Sequence, residues 1–562
     1  MRRVLSAVLS LVLCLPLFAE PSLSKSSEKA REYLNEVQKH LTESYIEREK
    51  VKGADVFEAC RAGLLKSLED DALKGADAAL KSELAEIFQD AKLTTVDALI
   101  RKVRKCAEKH GAKDLDVIRM ADLAAQSMVQ SIGDPFSNLL KGEDMQKLMK
   151  QMQGEGKSDS IGIGVEPGAD GMKVSFVMYG YAGYDAGLRV GDRVTEVDGE
   201  KVAGLGMKDL QTKMVVKEGE SVVLTVTRDG WKKPYDITVL NSPRKIRNVW
   251  ATMLPGGIGY VRLTIFDLQL GGSTLDALKK LKKDGMTKIV LDLRNNPGGA
   301  LPSAVAVADT FIAGDRLITY TESNLDLSGS APFPIPGLAD QKPEMSYRAG
   351  RKSDFEGMPM VVLVNGSSAS ASEMLSGALQ DLGRAVVVGE TTYGKGIGQT
   401  AIPLWKATGS EFGKAFMPML PNRFLYLTVM KYSLPSGRSI HHSGVVPDVK
   451  VVNPQMDGAA WDGVYAVRKG GKVKAYAESL DKELAADLAV YDGFDTNAYP
   501  GFERVYRSLR TKLSKDQVRE EIRREVRLRV GGEVLLVDMQ TDVQLQRAVM
   551  LLGREMDGAG NR

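Results

Sequence analysis

Hydrophobic and polar positions along this chain change rhythm from one region to the next. Between about residues 21 and 155 apolar residues recur at three- and four-residue intervals and glycine is sparse. The stripes Val56-Phe57-Cys60-Leu64 and Val96-Leu99-Ile100-Val103-Cys106 predict amphipathic helices, the second stopping at Gly111, so this N-terminal region reads as all helical. From about 158 to 243 the period drops to two, as in Met172-Val174-Phe176 and Val222-Leu224-Val226, with Gly and Asp turns between the runs. That alternation predicts a small β-rich domain. From about 247 to 455 buried-strand runs (Ile258 to Leu263, Lys288 to Leu293, Met360 to Val364) alternate with helical stretches near Thr274 to Lys283 and Leu301 to Phe311, a βαβ layout and hence an α/β core. Beyond about 456 helical spacing returns, as in Val518-Ile522-Val526, and predicts a C-terminal helical extension that packs, docks or oligomerises.

Two irregular stretches interrupt the α/β part, Glu322 to Gly357 and Lys406 to Arg423, and their length suggests that they wall or gate whatever lies between them. At the N-terminus Arg2-Arg3 precede an apolar run from Val4 to Ala19 broken by Pro16, which predicts a secretory signal (residues 1–19) cleaved after Ala19. At about sixteen residues the run is short for a membrane span of roughly 20. The protein is therefore expected to be exported, to the periplasm or cell envelope. Leu13 before Cys14 is a poor match to a lipid-attachment signal.

Export changes how the other two cysteines are read. Cys60 and Cys106 would meet an oxidising compartment and form a candidate disulfide stapling two helices, against the plainer reading of two buried thiols. Charge adds little, because 76 Lys plus Arg against 73 Asp plus Glu leave a net +3, too near balance to imply a nucleic-acid partner.

Candidate chemistry sits at two strand-to-turn junctions. Met360 to Val364 runs into Asn-Gly-Ser-Ser-Ala-Ser-Ala-Ser-Glu373 and then a helix from about Ala371. A serine at such a corner projects freely, and the helix N-terminus beside it offers unpaired N–H groups to an oxyanion, although serine-rich turns of this kind are also ordinary helix caps. Ala385 to Gly389 leads into Glu-Thr-Thr-Tyr-Gly-Lys395-Gly-Ile-Gly-Gln399, one lysine among glycines and apolar residues. Lysine serves as a base only when neutral, which requires burial to bring its pKa down from about 10.4 toward neutrality. Only four histidines exist, His40, His110, His441 and His442, which leaves little room for a Ser/His/Asp arrangement. No His-Glu-x-x-His or Cys-x-x-Cys string is present, so neither a metal nor another cofactor is expected in the chemistry.

These residues resemble the carboxy-terminal processing (tail-specific) serine proteases. The likeness rests on Ser368-Ala-Ser-Ala-Ser-Glu373, Gly-Lys395-Gly with Gln399, Leu291-Asp-Leu-Arg-Asn-Asn-Pro-Gly-Gly299, and Pro435-Ser-Gly-Arg-Ser-Ile440 leading to Pro447-Asp448. It implies that Ser370 is the nucleophile, Lys395 the general base and Gln399 the residue that orients the lysine. The oxyanion hole would be the N–H of Ala371 with a glycine of the Asn296-Pro-Gly-Gly299 turn, Gly298 or Gly299, and Asp381 would play a supporting, structural part. It further implies a crotonase/ClpP-like core over 247–455 preceded by a PDZ domain over 158–243, in which Ile161-Gly162-Ile163-Gly164 receives a substrate's terminal carboxylate. Ala186-Gly-Leu-Arg-Val-Gly-Asp-Arg-Val-Thr-Glu-Val-Asp198 fits the PDZ pattern, whereas Tyr181-Ala-Gly-Tyr184 lacks the proline often found there. Gly133-Asp-Pro-Phe-Ser-Asn-Leu139 resembles the segment that precedes the PDZ module in this family. The helical ends, 20–155 and 456–562, fall largely outside the resemblance.

The function so implied is an exported serine endopeptidase with a Ser/Lys dyad, guided by its PDZ domain to proteins with free C-termini, with an adaptor protein and a homo-oligomer as further expected partners. The alternatives are a catalytically inactive PDZ scaffold or adaptor-binding protein, and a hydratase-like enzyme on a related fold. The first would have lost part of the machinery, and the second would need an acyl-cofactor site that the sequence does not display.

Overall fold

Each apolar run singled out between residues 247 and 455 folds as a strand, because a continuous Val/Ile/Leu segment is satisfied only where both faces of a sheet are covered. The computed structural model describes residues 22–52, 56–74, 76–154, 160–241, 247–325, 344–404, 422–454, 457–490, 496–530, 537, 539 and 541–558. The expected signal segment lies outside these residues, as do most of the second irregular stretch and much of the first. Within the first, Glu344–Arg348 is a strand paired antiparallel with Leu317–Ser323.

The described chain divides into two compact units. The first takes in residues up to 147 together with 323–343 and 398–430. Its helices Leu23–Glu43, Val56–Lys66, Ala78–Gln89, Val96–Lys109 and Val117–Ser131 bury the predicted stripes in one core. Gly111 takes φ +65°, the left-handed conformation that ends a helix, directly after the C-cap His110. The segment is not purely helical, since Asn138–Lys141 is a strand paired antiparallel with Arg423–Tyr426. Cys60 and Cys106 are both free and buried. The expected disulfide therefore does not form: Cys60 is enclosed in the apolar core, while the Cys106 thiol is directed to Glu83. Burial pushes the Cys60 thiol up to about 12, and burial followed by the charge of Glu83 pushes Cys106 up to about 11.

Among the described residues, two sheets lie wholly within the second unit. One is six-stranded, in the order Val449–Lys450, Val386–Gly389, Met360–Val364, Lys288–Asp292, Ile258–Leu263, Val249–Leu254, parallel except for the last pair. Helices Leu270–Lys283, Leu301–Phe311 and Ala371–Asp381 cover one face. The first of these starts a turn earlier than the periodicity suggests. Two glycines mask its start, and one of them, Gly271, lets the neighbouring helix approach so closely that a Cβ there would stand 2.7 Å from Ala306. The other sheet, Ile163–Gly168, Gly171–Val177, Arg193–Val197, Ser221–Thr227 and Tyr235–Leu240 with a short strand at Glu200–Lys201, is antiparallel and has alternating burial in its last two long strands.

The C-terminal residues supply missing walls to both sheets. Helices Gly458–Gly470, Lys472–Ser479 and Lys515–Arg529 share one apolar core with the antiparallel sheet; Trp461 stacks on Trp231, and Arg468 donates to the Ala186 carbonyl at 2.7 Å. Helix Val543–Gly558 places Leu545, Ala548 and Leu552 on the second face of the parallel sheet, against Val290, Val361 and Leu363.

The parallel sheet also encloses a charge cluster. Asp292 is fully buried and takes ion pairs from Arg262 (3.2 Å) and Arg294 (2.6 Å) and a hydrogen bond from the Tyr260 hydroxyl (2.6 Å). Arg294 also bonds Asp542, at the start of the last helix, at 2.7 Å. Burial raises the Asp292 carboxyl, but the two guanidiniums and the hydrogen bonds outweigh it and hold the group at about 2. Because the folded value lies below that of the unfolded chain, near about 3.9, this stabilisation is complete above that pH and is lost as pH falls toward 2. Chemical denaturation at pH 6 and at pH 3 should therefore show a fall in stability that Asp292→Asn no longer shows. The variant itself should lose roughly 3–5 kcal/mol at pH 6, since it leaves buried guanidiniums short of a partner.

Candidate functional site

Three serines crowd the turn after Met360–Val364, and the structure separates them. Ser368 and Ser372 are completely buried, and their hydroxyls donate to the carbonyls of Leu293 (2.8 Å) and Asn296 (2.9 Å). Ser370 is half-buried and sits at the corner itself with φ 54° and ψ −116°, a conformation that costs a side-chain-bearing residue about 1–3 kcal/mol. It is the N-cap of helix Ala371–Asp381, and the N–H of Glu373 donates to the Ser370 carbonyl oxygen at 2.8 Å.

What holds this corner is Glu373, fully buried one turn into the helix. Its Oε2 accepts from the N–H of Ser370 at 2.8 Å and from the N–H of Lys395 at 2.8 Å. Its Oε1 accepts from the N–H of Gly394 at 2.6 Å and from the Thr392 hydroxyl. One carboxylate oxygen thus fixes the backbones of Ser370 and Lys395 to each other. Burial pushes the Glu373 carboxyl above its ordinary value, and the four donors work against that rise.

The lysine turn is tight for a steric reason. Gly394 has φ +93°, and a Cβ on Gly394 or Gly396 would run into the backbone of His442 or His441. The N–H of His442 donates to the Gly394 carbonyl at 2.8 Å, so the two histidines brace this loop through their main chain. Tyr432 donates its hydroxyl to the Lys395 carbonyl, and its phenol is also within hydrogen-bonding reach of the Ser370 side chain. Lys395 itself is half-buried.

On the other side of Ser370 lies the Asn296-Pro-Gly-Gly299 turn. A Cβ on Gly298 would stand 2.8 Å from the Ser370 Cβ and 3.0 Å from the Ala371 nitrogen, so only glycine permits this approach. The Gly298 N–H donates to Asn296 Oδ1 at 2.9 Å. Gly299 bridges Phe266 through the flanking Gly298 carbonyl and Ala300 N–H, so its own N–H faces away from Phe266. Ala371, first residue of its helix, has no intrahelical acceptor for its N–H. Asp381 ends the same helix, accepts from the Ser436 N–H at 3.1 Å and pairs with the Arg438 guanidinium at 2.9 Å, pinning the Pro435–Arg438 turn.

Gln399 belongs to the other unit, where its surroundings are built by residues to which the sequence assigned no role. Its Nε2 donates to Thr428 Oγ1 at 3.0 Å, and Thr428 Oγ1 donates in turn to Asp134 Oδ2 at 2.6 Å, which also accepts from Ser137 Oγ at 2.6 Å. A hydroxyl has one proton, and with that proton on Asp134 it can only accept from Gln399. The Gly133-Asp-Pro-Phe-Ser segment therefore determines which way the Gln399 amide points. Asp134 and Ser137 were visible as a motif, but Thr428 carried no signal, because an alternating strand conceals one hydroxyl that faces a loop.

In the antiparallel-sheet domain, Ile161 is buried and its carbonyl accepts from the Gly183 N–H at 2.8 Å; the Gly162 carbonyl accepts from the Met178 N–H at 2.8 Å. Gly162 has φ +75° and lies directly under Tyr181, the first residue of the stretch that lacks the expected proline. Ile163 and Gly164 open the first strand of that sheet. The carboxylate-loop residues and the Ser370 corner thus occupy separate sheets of one unit.

Residues 257–451 match the family model for peptidase family S41, and residues 174–228 match that for the PDZ domain. A probable CtpA-like serine protease of Staphylococcus aureus is 31% identical over 358 residues, which cover 63% of this chain and 65% of that protein; the match thus spans a little under two thirds of that relative. A carboxy-terminal-processing protease of Bartonella bacilliformis is 31% identical over 344 residues, covering 60% of this chain and 70% of that one. Among solved structures, the photosystem II D1 C-terminal processing protease superposes with a TM-score of 0.47 at 24% identity, covering 73% of this chain and 97% of that one.

Replacing Glu373 by Gln keeps the shape but turns an NH2 group toward two of the four donors in either amide orientation. At about 1–3 kcal/mol for each donor left unpaired, Glu373→Gln should lose roughly 2–6 kcal/mol of stability in a urea titration. A loss below 1 kcal/mol would mean that the carboxylate does not hold the two turns together.

Proposed function

Because the chain belongs to the carboxy-terminal-processing proteases of peptidase family S41, we propose that it is a serine endopeptidase that cleaves proteins at or near their C-termini with Ser370 and Lys395. The observation that carries this reading is the shared carboxylate oxygen, which sets the Ser370 and Lys395 backbones beside each other before any substrate arrives. The burial of Ser368 and Ser372 supports Ser370 over its neighbours.

In this mechanism Lys395 Nζ acts as general base and takes the proton of Ser370 Oγ as the hydroxyl attacks the scissile carbonyl. The oxyanion that forms is received by the Ala371 N–H and the Gly299 N–H, reinforced by the positive end of helix Ala371–Asp381, while Gly298 provides the room for approach. The lysine then returns its proton to the departing amine, and the acyl-enzyme left on Ser370 is hydrolysed by water. The amide of Gln399 is set by Thr428 and Asp134, and the resemblance to the family is what gives this residue the part of orienting the lysine. The core is of the crotonase/ClpP type. The PDZ domain guides substrates through Ile161 to Gly164, which present main-chain N–H groups to a terminal carboxylate while a substrate strand pairs alongside. The protein acts outside the cytoplasm on cell-envelope proteins, with an adaptor and self-association as further partners.

Ser370→Ala and Lys395→Ala should each abolish cleavage of an unstructured protein substrate such as casein, with unfolding midpoints close to the parent. Cleavage at the parental rate by either purified variant would refute the dyad, and a parent inert toward every protein substrate would favour the scaffold reading.

A further inference from the structure

Away from the peptidase site, in the helical unit, three side chains of metal-ligating type converge. Cys106 and His110 lie one turn apart at the end of helix Val96–Lys109, and Glu83 faces them from helix Ala78–Gln89. Their ligand atoms all lie within 4.8 Å of one another. His110 Nε2 stands 2.8 Å from Glu83 Oε2, and Cys106 is turned to the same carboxylate. Cys106 is buried, whereas the His110 and Glu83 side chains are 16% and 31% exposed, so the cluster has a closed floor and an open mouth.

We propose that Glu83, Cys106 and His110 form a zinc site that ties these two helices together, the fourth position being taken by water. Thiolate, imidazole and carboxylate form a donor set suited to Zn²⁺, and at bond lengths of about 2.0–2.3 Å a tetrahedral ion holds its ligands about 3.3–3.7 Å apart, so only a small contraction is needed. The last turn of a helix adds carbonyl groups with partial negative charge, which favour a cation there. Binding replaces the thiol proton: the Cys106 S–H bond breaks, the proton passes to water and the sulfur bonds the metal.

One neighbouring group opposes the ion. Lys109 Nζ lies 2.7 Å from the same Glu83 oxygen that His110 contacts, and its side chain is 67% exposed. The ammonium occupies the carboxylate when no metal is bound and swings into solvent when one is. Lys109 therefore provides a sign that distinguishes a metal site from a plain polar cluster. Removing it should weaken the cluster if the ion pair is the point, and tighten metal binding if the metal is.

The test uses the full mature chain, purified without a histidine tag, stripped with chelator and titrated with Co²⁺, then with Zn²⁺. The parent should develop the near-ultraviolet band of a cobalt thiolate, Zn²⁺ should abolish that band, and Zn²⁺ should raise the thermal midpoint. Cys60→Ser should keep the band and Cys106→Ser should lose it. His110→Asn and Glu83→Gln should weaken binding at least about tenfold, the scale of losing one ligand or its orientation. Lys109→Ala should bind more tightly than the parent. Should Cys106→Ser fail to fold, the partly exposed His110→Asn decides by itself. No thiolate band in the parent, a band that survives Cys106→Ser, or unchanged affinity in His110→Asn overturns the site. The assay does not read proteolysis, so it stands or falls independently of the peptidase reading.

Discussion

A buried carboxylate has to be met by donors, and at Glu373 those donors come from two turns far apart in sequence. Taking the carboxylate out of water costs several kcal/mol, which only a full complement of hydrogen bonds can offset. The complement consists of the N–H groups of Ser370, Gly394 and Lys395 and the hydroxyl of Thr392. The requirement works in both directions. The turns satisfy the charge, and the charge leaves the turns no freedom, which is how Ser370 keeps a backbone conformation that no side chain would choose in isolation.

A second buried charge does comparable work on the opposite side of the serine. Arg294 is held by Asp292 within the sheet and by Asp542 from the last helix, and the turn carrying Gly298 and Gly299 begins two residues later. The C-terminal residues are therefore part of the parallel sheet's architecture: they cover its second face and complete the ion pair of Arg294, two residues before the Asn296-Pro-Gly-Gly299 turn. Their neighbours upstream share a core with the PDZ sheet, so one extension braces both.

Much of this was legible from the order of residues. Buried strands appear wherever apolar runs stand, Gly111 ends its helix, and Ser370, Lys395, Gly298 and Gly299 stand in strings specific enough to assign parts to them. Other features were hidden for identifiable reasons. The start of helix Leu270–Lys283 is masked by two glycines, of which Gly271 permits close packing against Ala306. Glu373 was part of the serine motif but had no evident task, because three of its four partners lie 19 to 22 residues away. Cys60 and Cys106 both occupy apolar helical faces, which is compatible with a disulfide, yet one thiol is enclosed in the core and the other turns to Glu83.

Local order along the chain thus determined the elements and their sequence, because period and turn chemistry act over a few residues. Tertiary structure alone decided which of three serines is presented, which carboxylate holds it, which way the Gln399 amide points and which helices complete each sheet. Those outcomes depend on how polar groups distant in sequence are paired once water is excluded, and no local pattern encodes that pairing.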